Sequence, residues 1–212
     1  MVQATLDTTA PRGRRERNKL EKRARLIQAA RRLFAAKGFD AATMQEIAAA
    51  ADLGAGTVYL YAPSKDDLLI MVSCEDLHAA FERATAAAGA AGSLLDRIIS
   101  FFDVLIDYHD DDVALARAFM RLLAVIPGPQ SRREVQGINQ DLHRRLRALV
   151  EAAPEIRRDA PVDILVGNLV SIYRMQLQHW LNEFLTVAQY RARLRASLDL
   201  QLAACRDVKA TR

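Results

Sequence analysis

An all-α protein is predicted by three observations. Apolar residues recur at spacings of three and four through most of the 212 residues, helix caps punctuate that pattern, and no stretch alternates apolar with polar as a half-buried strand does. Half of the composition is apolar, 51%, ample for the core of one large or two small domains. The predicted architecture is an N-terminal three-helix unit built round a helix-turn-helix, followed by a longer helical body.

The elements follow in chain order. Residues 1–14 lack apolar periodicity and are expected to form a disordered basic arm; its arginines either track a nucleic-acid backbone or minor groove, or belong to a tail without function. Residues 15–37 form a helix with Leu26, Ile27, Ala30, Leu33 and Phe34 on one side and cations on the other. Gly38 stops it, as glycine does at a helix C-terminus, and Phe34 and Phe39 are core residues. Thr43 and Glu46 make a capping box, in which hydroxyl and carboxylate each take an orphan amide of the helix start. That helix buries Met44, Ile47, Ala48 and Ala51 and is broken by Asp52-Leu53-Gly54. Asp is among the few residues besides Gly that tolerate a left-handed conformation, and Gly54 can open the next helix. The second helix, roughly 55–61, ends before Pro63, whose ring disfavours helical geometry in the residue preceding it.

Ser64 and Asp67 repeat the cap for a long helix reaching about Thr85, which carries Leu68, Leu69, Met71, Val72, Leu77 and Phe81 and continues into the body. Residues 86–93, AAAGAAGS, loosen the chain before a new helix start at Ser93. Five further helices are expected: 94–108, apolar on most sides; 113–126, ended by Pro127; 131–152, amphipathic; 161–184, long and apolar; and 187–205. The domain reading is therefore 1–14, 15–82 and 83–212.

Charge divides the chain in the same place. Between Pro11 and Lys37 eleven Lys or Arg stand against two acids, a net +9, so the remainder carries −5 of the overall +4. Such asymmetry is the footprint of a nucleic-acid-binding end joined to a domain with another task; the alternative is a solvated helix face. Two cysteines, Cys74 and Cys205, both in helical patterns, point to a reduced, cytoplasmic setting. No apolar run approaches the roughly 18 residues of a membrane span, so no membrane partner is expected.

Residues 43–69 carry a resemblance. A helix, a short turn, a short helix containing Gly56, Thr57, Tyr59 and Tyr61, then Pro63, Ser64, Lys65 and Leu68 resemble the DNA-binding segment of the tetracycline-repressor (TetR) family of bacterial transcriptional regulators. The likeness covers roughly the first third of the chain. It implies a homodimeric repressor that binds double-stranded DNA at a palindromic operator through a helix-turn-helix at about 43–62, and releases it for a small, largely apolar effector, without a cofactor. The implied DNA-binding residues are Thr43, Gly54, Ala55, Gly56, Thr57, Tyr59, Tyr61 and Lys65. Thr57 can bond a phosphate or touch a thymine methyl; each tyrosine is a phosphate donor or a core aromatic with a wet hydroxyl, and at a spacing of two both cannot be core. Thr43 and Lys65, at helix N-termini, would clamp the backbone. The family commonly has Gly where this chain has Asp52, and polar or basic residues where it has Gly54 and Ala55; Leu60 and Ala62 also depart from the pattern. Sequence readout is then expected to lean on methyl contacts, backbone amides and DNA shape.

The resemblance also implies a body that binds ligand and dimerises. Phe101, Phe102, Leu105, Tyr108, Phe119, Leu123, Tyr173, Met175 and Gln176 are the pocket candidates, and the last two long helices the dimer surface, with Trp180 either an anchor there or internal core. No catalytic constellation, phosphate loop or metal spacing appears. His109-Asp110-Asp111-Asp112 has metal-ligand residue types but sits at a helix break, where acids cap the next helix. Two rival functions are a sequence-tolerant architectural DNA protein and a helical enzyme with a basic arm.

Overall fold

The computed structural model describes residues 13–89 and 92–207; the expected arm at 1–14 lies outside them except for Gly13 and Arg14. Nine helices stand among the described residues: α1 (Arg14–Ala41), α2 (Met44–Ala50), α3 (Ala55–Tyr61), α4 (Lys65–Gly89), α5 (Leu94–Asp110), α6 (Val113–Ala124), α7 (Pro129–Glu151), α8 (Val162–Leu181) and α9 (Val187–Ala203). The fold is all-α. Two compact units divide at Leu68 and Leu69, inside α4, whereas the sequence reading placed a boundary at 82 in the same helix.

The first unit packs α1, α2 and α3 round Leu26, Ile27, Ala30, Phe34, Ile47 and Val58. Phe34 is buried, as the sequence predicts; Phe39, expected in the core too, is only half-buried and meets it edge to face at 5.4 Å, with Lys65 over its ring. Gly38 leaves helical geometry at φ 79°, ψ 161°, a conformation open to glycine because it has no Cβ; one more turn follows before the chain exits at Ala42.

Local chemistry explains the helix starts. Thr43 accepts from the Glu46 amide at 3.3 Å while the Glu46 carboxylate takes the Thr43 amide at 3.0 Å and its hydroxyl at 2.7 Å. Ser64, Ser93 and Thr186 each accept from the amide three residues on, and Asp112 caps α6 through the Leu115 amide at 2.9 Å. Of the acid run after His109, Asp110 and Asp111 close α5 and Asp112 starts α6. Among the described residues no group of three or more His, Cys, Asp or Glu stands ready for a metal.

In the second unit α8 packs against α9, α7 and α6, and α5 against α9, α6 and α7. The core runs from Ile70 to Cys205, with Phe101 and Phe102 wholly buried and Trp180 stacked on Tyr190 at 5.7 Å. Both cysteines are buried, and neither is in a disulfide. A buried polar cluster fastens α4 to α7. Asp141, 5% exposed, accepts from Arg145 Nε at 2.9 Å and faces His78 Nδ1 at 3.2 Å; Arg145 reaches the Thr85 hydroxyl at 2.7 Å and the Glu82 carboxylate at 2.5 Å. At the far end an antiparallel bridge joins Ile156 to Arg206, and the Glu155 carboxylate takes the Leu94 amide at 2.8 Å. No helix among the described residues is long and apolar enough to cross a membrane.

Candidate nucleic-acid interface and internal cavity

The turn between α2 and α3 is a Schellman motif with an acid in its left-handed position. Asp52 stands at φ 50°, its amide reaching the Ala49 carbonyl at 3.1 Å and the Leu53 amide the Ala48 carbonyl at 3.0 Å. The side chain that stabilises it comes from α1. Arg25 donates to the Ala51 carbonyl at 2.6 Å and to the Asp52 carboxylate at 2.7 Å. Sequence reasoning missed this brace, because Arg25 is one cation in a basic run and its partners lie 26 and 27 residues on.

The turn aims α3 outward. Gly54 caps it in extended geometry, Thr57 and Val58 donate to the Gly54 carbonyl, and only Val58 of the helix is buried. Ala55, Gly56, Tyr59 and Leu60 are exposed, Leu60 by 81%, and Thr57 and Tyr61 are half-buried. No side chain on this exposed face can make the bidentate bonds by which Arg, Asn or Gln read bases. Tyr61 donates to the Lys19 carbonyl at 3.1 Å, which splits the tyrosines: Tyr61 braces α1, Tyr59 faces outward. Lys65 also turns inward, giving protons to the Phe39 and Asp40 carbonyls at 2.8 and 2.9 Å over the Phe39 ring. Thr43 is exposed, its hydroxyl held in the capping box. Glu46 stays ionised down to about pH 2, because the Lys37 ammonium bonds its carboxylate and Thr43 adds two more bonds.

The second unit holds a narrow cavity of about 40 Å³ among α4, α5, α6, α7 and α8. Of the sequence candidates Leu105, Phe119, Leu123 and Tyr173 line it. Phe102 stands behind Tyr173, ring on ring at 4.5 Å, with Phe101 packed in the core beyond. Met175, 53% exposed, lines an adjoining groove, while Tyr108 and Gln176 line neither space. Leu77 and Phe81 of α4 form part of the cavity wall, opposite Ile138 and Leu142 of α7.

Two polar groups interrupt this apolar lining in different ways. Arg174 and Asn139, bonded to each other, stand on both the cavity and the groove, and burial pulls the Arg174 pKa down. His109 lines the cavity alone. It is 3% exposed, its Nδ1 has no hydrogen-bond partner among protein atoms, and burial holds its pKa at about 4, so it is neutral at pH 7. Its neighbours in sequence drew it into the capping reading; only the rotation of α5 separates it from those acids.

The groove, about 790 Å³, is mixed in character, with Arg117, Arg121 and Arg174 above Leu123, Ile126 and Leu181. Arg117 repeats the brace of the first unit. It donates to the Leu181 carbonyl at 2.5 Å and the Glu183 carboxylate at 2.7 Å, and Glu183 is the other acid in left-handed geometry, φ 64°, at the Schellman end of α8.

Residues 26–72 match the model of bacterial regulatory proteins of the tetR family. A stretch of 55 residues is 47% identical to the uncharacterized HTH-type transcriptional regulator YerO of Bacillus subtilis strain 168, covering 26% of this chain and 19% of that protein. Among solved structures, Thermus thermophilus FadR, a TetR family repressor in complex with lauroyl-CoA, superposes with a TM-score of 0.67 at 21% identity, over 85% of this chain and 93% of that one. A TetR transcriptional regulator from Rhodococcus sp. RHA1 gives 0.70 at 18% identity, over 87% and 96%. Bacillus subtilis FadR in complex with stearoyl-CoA gives 0.64 at 18%, over 84% and 96%. At these identities the likeness to solved structures is one of fold.

Proposed function

We propose that this chain, whose residues 26–72 match the model of bacterial regulatory proteins of the tetR family, is a cytoplasmic repressor of that family which binds a palindromic operator as a homodimer and leaves it when an amphiphilic effector fills the body. The observation that carries this reading is the continuity of α4. One helix starts at Lys65, bonded to the end of α1, and forms the cavity wall at Leu77 and Phe81.

A cavity of about 40 Å³ is far below the ~300 Å³ of a typical ligand pocket, whereas the groove beside it is within that range. An effector that enters from the groove must widen the cavity and press on Leu77 and Phe81. Release then follows from tighter binding to the conformation in which α4 has shifted. The groove arginines suit an anionic head and the cavity an apolar chain. Fatty acyl thioesters of coenzyme A combine the two, and FadR structures of similar fold hold lauroyl- and stearoyl-CoA. Exposed Ile164, Phe184 and Leu200 supply an apolar surface on and beside α8 and α9 for a second copy.

Selection of duplexes from a random pool by the full-length protein tests the DNA half. The expected winner is a palindrome with half-sites about 34 to 36 Å apart, at least ~10³-fold preferred over random duplex at fixed salt. Titrating the complex with lauroyl-CoA should then release it. The bare face of α3 favours one rival, an architectural DNA protein; equal affinity for all duplexes would establish that rival instead.

A further inference from the structure

His109 points to a feature of the effector that an apolar chain alone does not satisfy. Its ring lines the cavity at 3% exposure, and Nδ1 has no protein partner, although a buried unpaired polar group is unfavourable. The surrounding walls offer no bond: Leu77, Leu105, Phe119 and Leu177 are apolar, the Tyr173 hydroxyl shares the lining without bonding Nδ1, and the Tyr108 ring meets the imidazole at 4.9 Å between centroids. Arg174 and Asn139, the polar pair at the groove, are bonded to each other. A group arriving from the groove along the cavity is what remains to complete the imidazole.

The geometry points to an effector whose apolar arm carries one uncharged oxygen, a hydroxyl or a carbonyl, hydrogen-bonded to His109. This rests on the acyl-thioester reading above and narrows it to oxygenated chains. A hydroxyl fits either tautomer, since it accepts from a protonated ring nitrogen and donates to a bare one. A carbonyl fits only the protonated nitrogen. A carboxylate at this position would need the imidazole to take up a proton, which its burial opposes. His109 thereby acts on specificity in the way a site built to bond a polar group disfavours the analogue lacking it.

The test uses the full-length protein and four thioesters of coenzyme A with dodecanoic acid: unsubstituted, or bearing one hydroxyl near the thioester, at mid-chain or at the terminal carbon. By calorimetry one hydroxylated thioester should bind at least about tenfold tighter than the unsubstituted one. His109→Leu should abolish that preference and bind the unsubstituted chain no more weakly. In 15N-histidine spectra of the wild-type protein, which need no variant, the preferred thioester should move the His109 ring nitrogens and the unsubstituted chain leave them in place. Equal binding of all four, or a preference that survives in His109→Leu, overturns the inference and leaves the thioester reading standing. Binding of none of the four overturns the thioester reading itself, and the inference with it.

Discussion

Arg25 and Asp52 meet at 2.7 Å across the turn between α2 and α3, and Arg117 and Glu183 meet at the same distance at the end of α8. In each pair the acid occupies a left-handed position that most helices give to glycine, and the guanidinium also holds a carbonyl of the helix it closes. The two units thus use one device. An acid costs more than glycine in that geometry, and the arginine offsets the difference.

Substitution at the first of these turns separates the two contributions. Asp52→Ala keeps the strained geometry and loses the carboxylate, so the head should lose about 1 kcal/mol; Asp52→Gly, which relieves the strain as the pair is lost, should lie within about 0.5 kcal/mol of wild type. Urea unfolding of both variants, alone and combined with Arg25→Met, measures this. Equal losses for Ala and Gly would show that backbone geometry contributes nothing there.

Thr43→Ala removes one half of the capping box. The expected loss is about 1 kcal/mol. Glu46 ties its ionisation to the fold: its folded pKa, about 2, lies below the ordinary 4.5, so its stabilising effect is present above pH 4.5 and fades as pH falls toward 2. In the variant the Glu46 carboxyl resonance, followed by NMR, should titrate at higher pH than in wild type.

Asp141 anchors Arg145 in the interior. Asp141→Ala leaves a largely buried guanidinium with only the exposed Glu82 as counterion and should cost about 3 kcal/mol. Thermal unfolding reads this directly, and a loss below about 1 kcal/mol would mean that water reaches Arg145.

The pH dependence of His109 has the opposite chemistry and the same sign. Unfolded, it takes a proton near pH 6.5; folded, only near 4. Between those values the unfolded chain binds more protons, so stability falls as pH drops from 6.5 to 4, by about 3 kcal/mol in total, and the residue contributes no slope above 6.5. Chemical unfolding at a series of pH values should show this slope in wild-type protein and its absence in His109→Leu.

Helix starts were legible in the sequence because their chemistry is local: Thr43 with Glu46 and Ser93 with Asp96 act over three residues. The left-handed turn at Asp52 was legible for the same reason. Arg25, Arg117 and Lys65 were not, since a cation in a basic run shows no sign of which distant carbonyl it reaches. Tyr59 and Tyr61 were resolved only by the Lys19 carbonyl, 42 residues away from Tyr61. Of the pocket candidates drawn from the family resemblance, Leu105, Phe119, Leu123 and Tyr173 line the cavity. Phe101 and Phe102 were drawn in as well, because a helix apolar on most sides does not reveal which side a void adjoins. His109 was masked by three following acids, of which Asp110 and Asp111 close its own helix and Asp112 starts the next.

The brace at the recognition turn is also exposed, with the Asp52 side chain 97% accessible and Arg25 45%. At 0.15 M salt the screening length is about 8 Å, and it shortens as salt rises, so mobile ions weaken the pair that aims α3 as well as the attraction to phosphate. The logarithm of operator affinity should therefore fall with the logarithm of salt more steeply than counterion release from the contacted phosphates alone requires. Counting phosphates from that slope would overestimate them for this head, and Asp52→Gly, whose turn needs no ion pair, should give the shallower line.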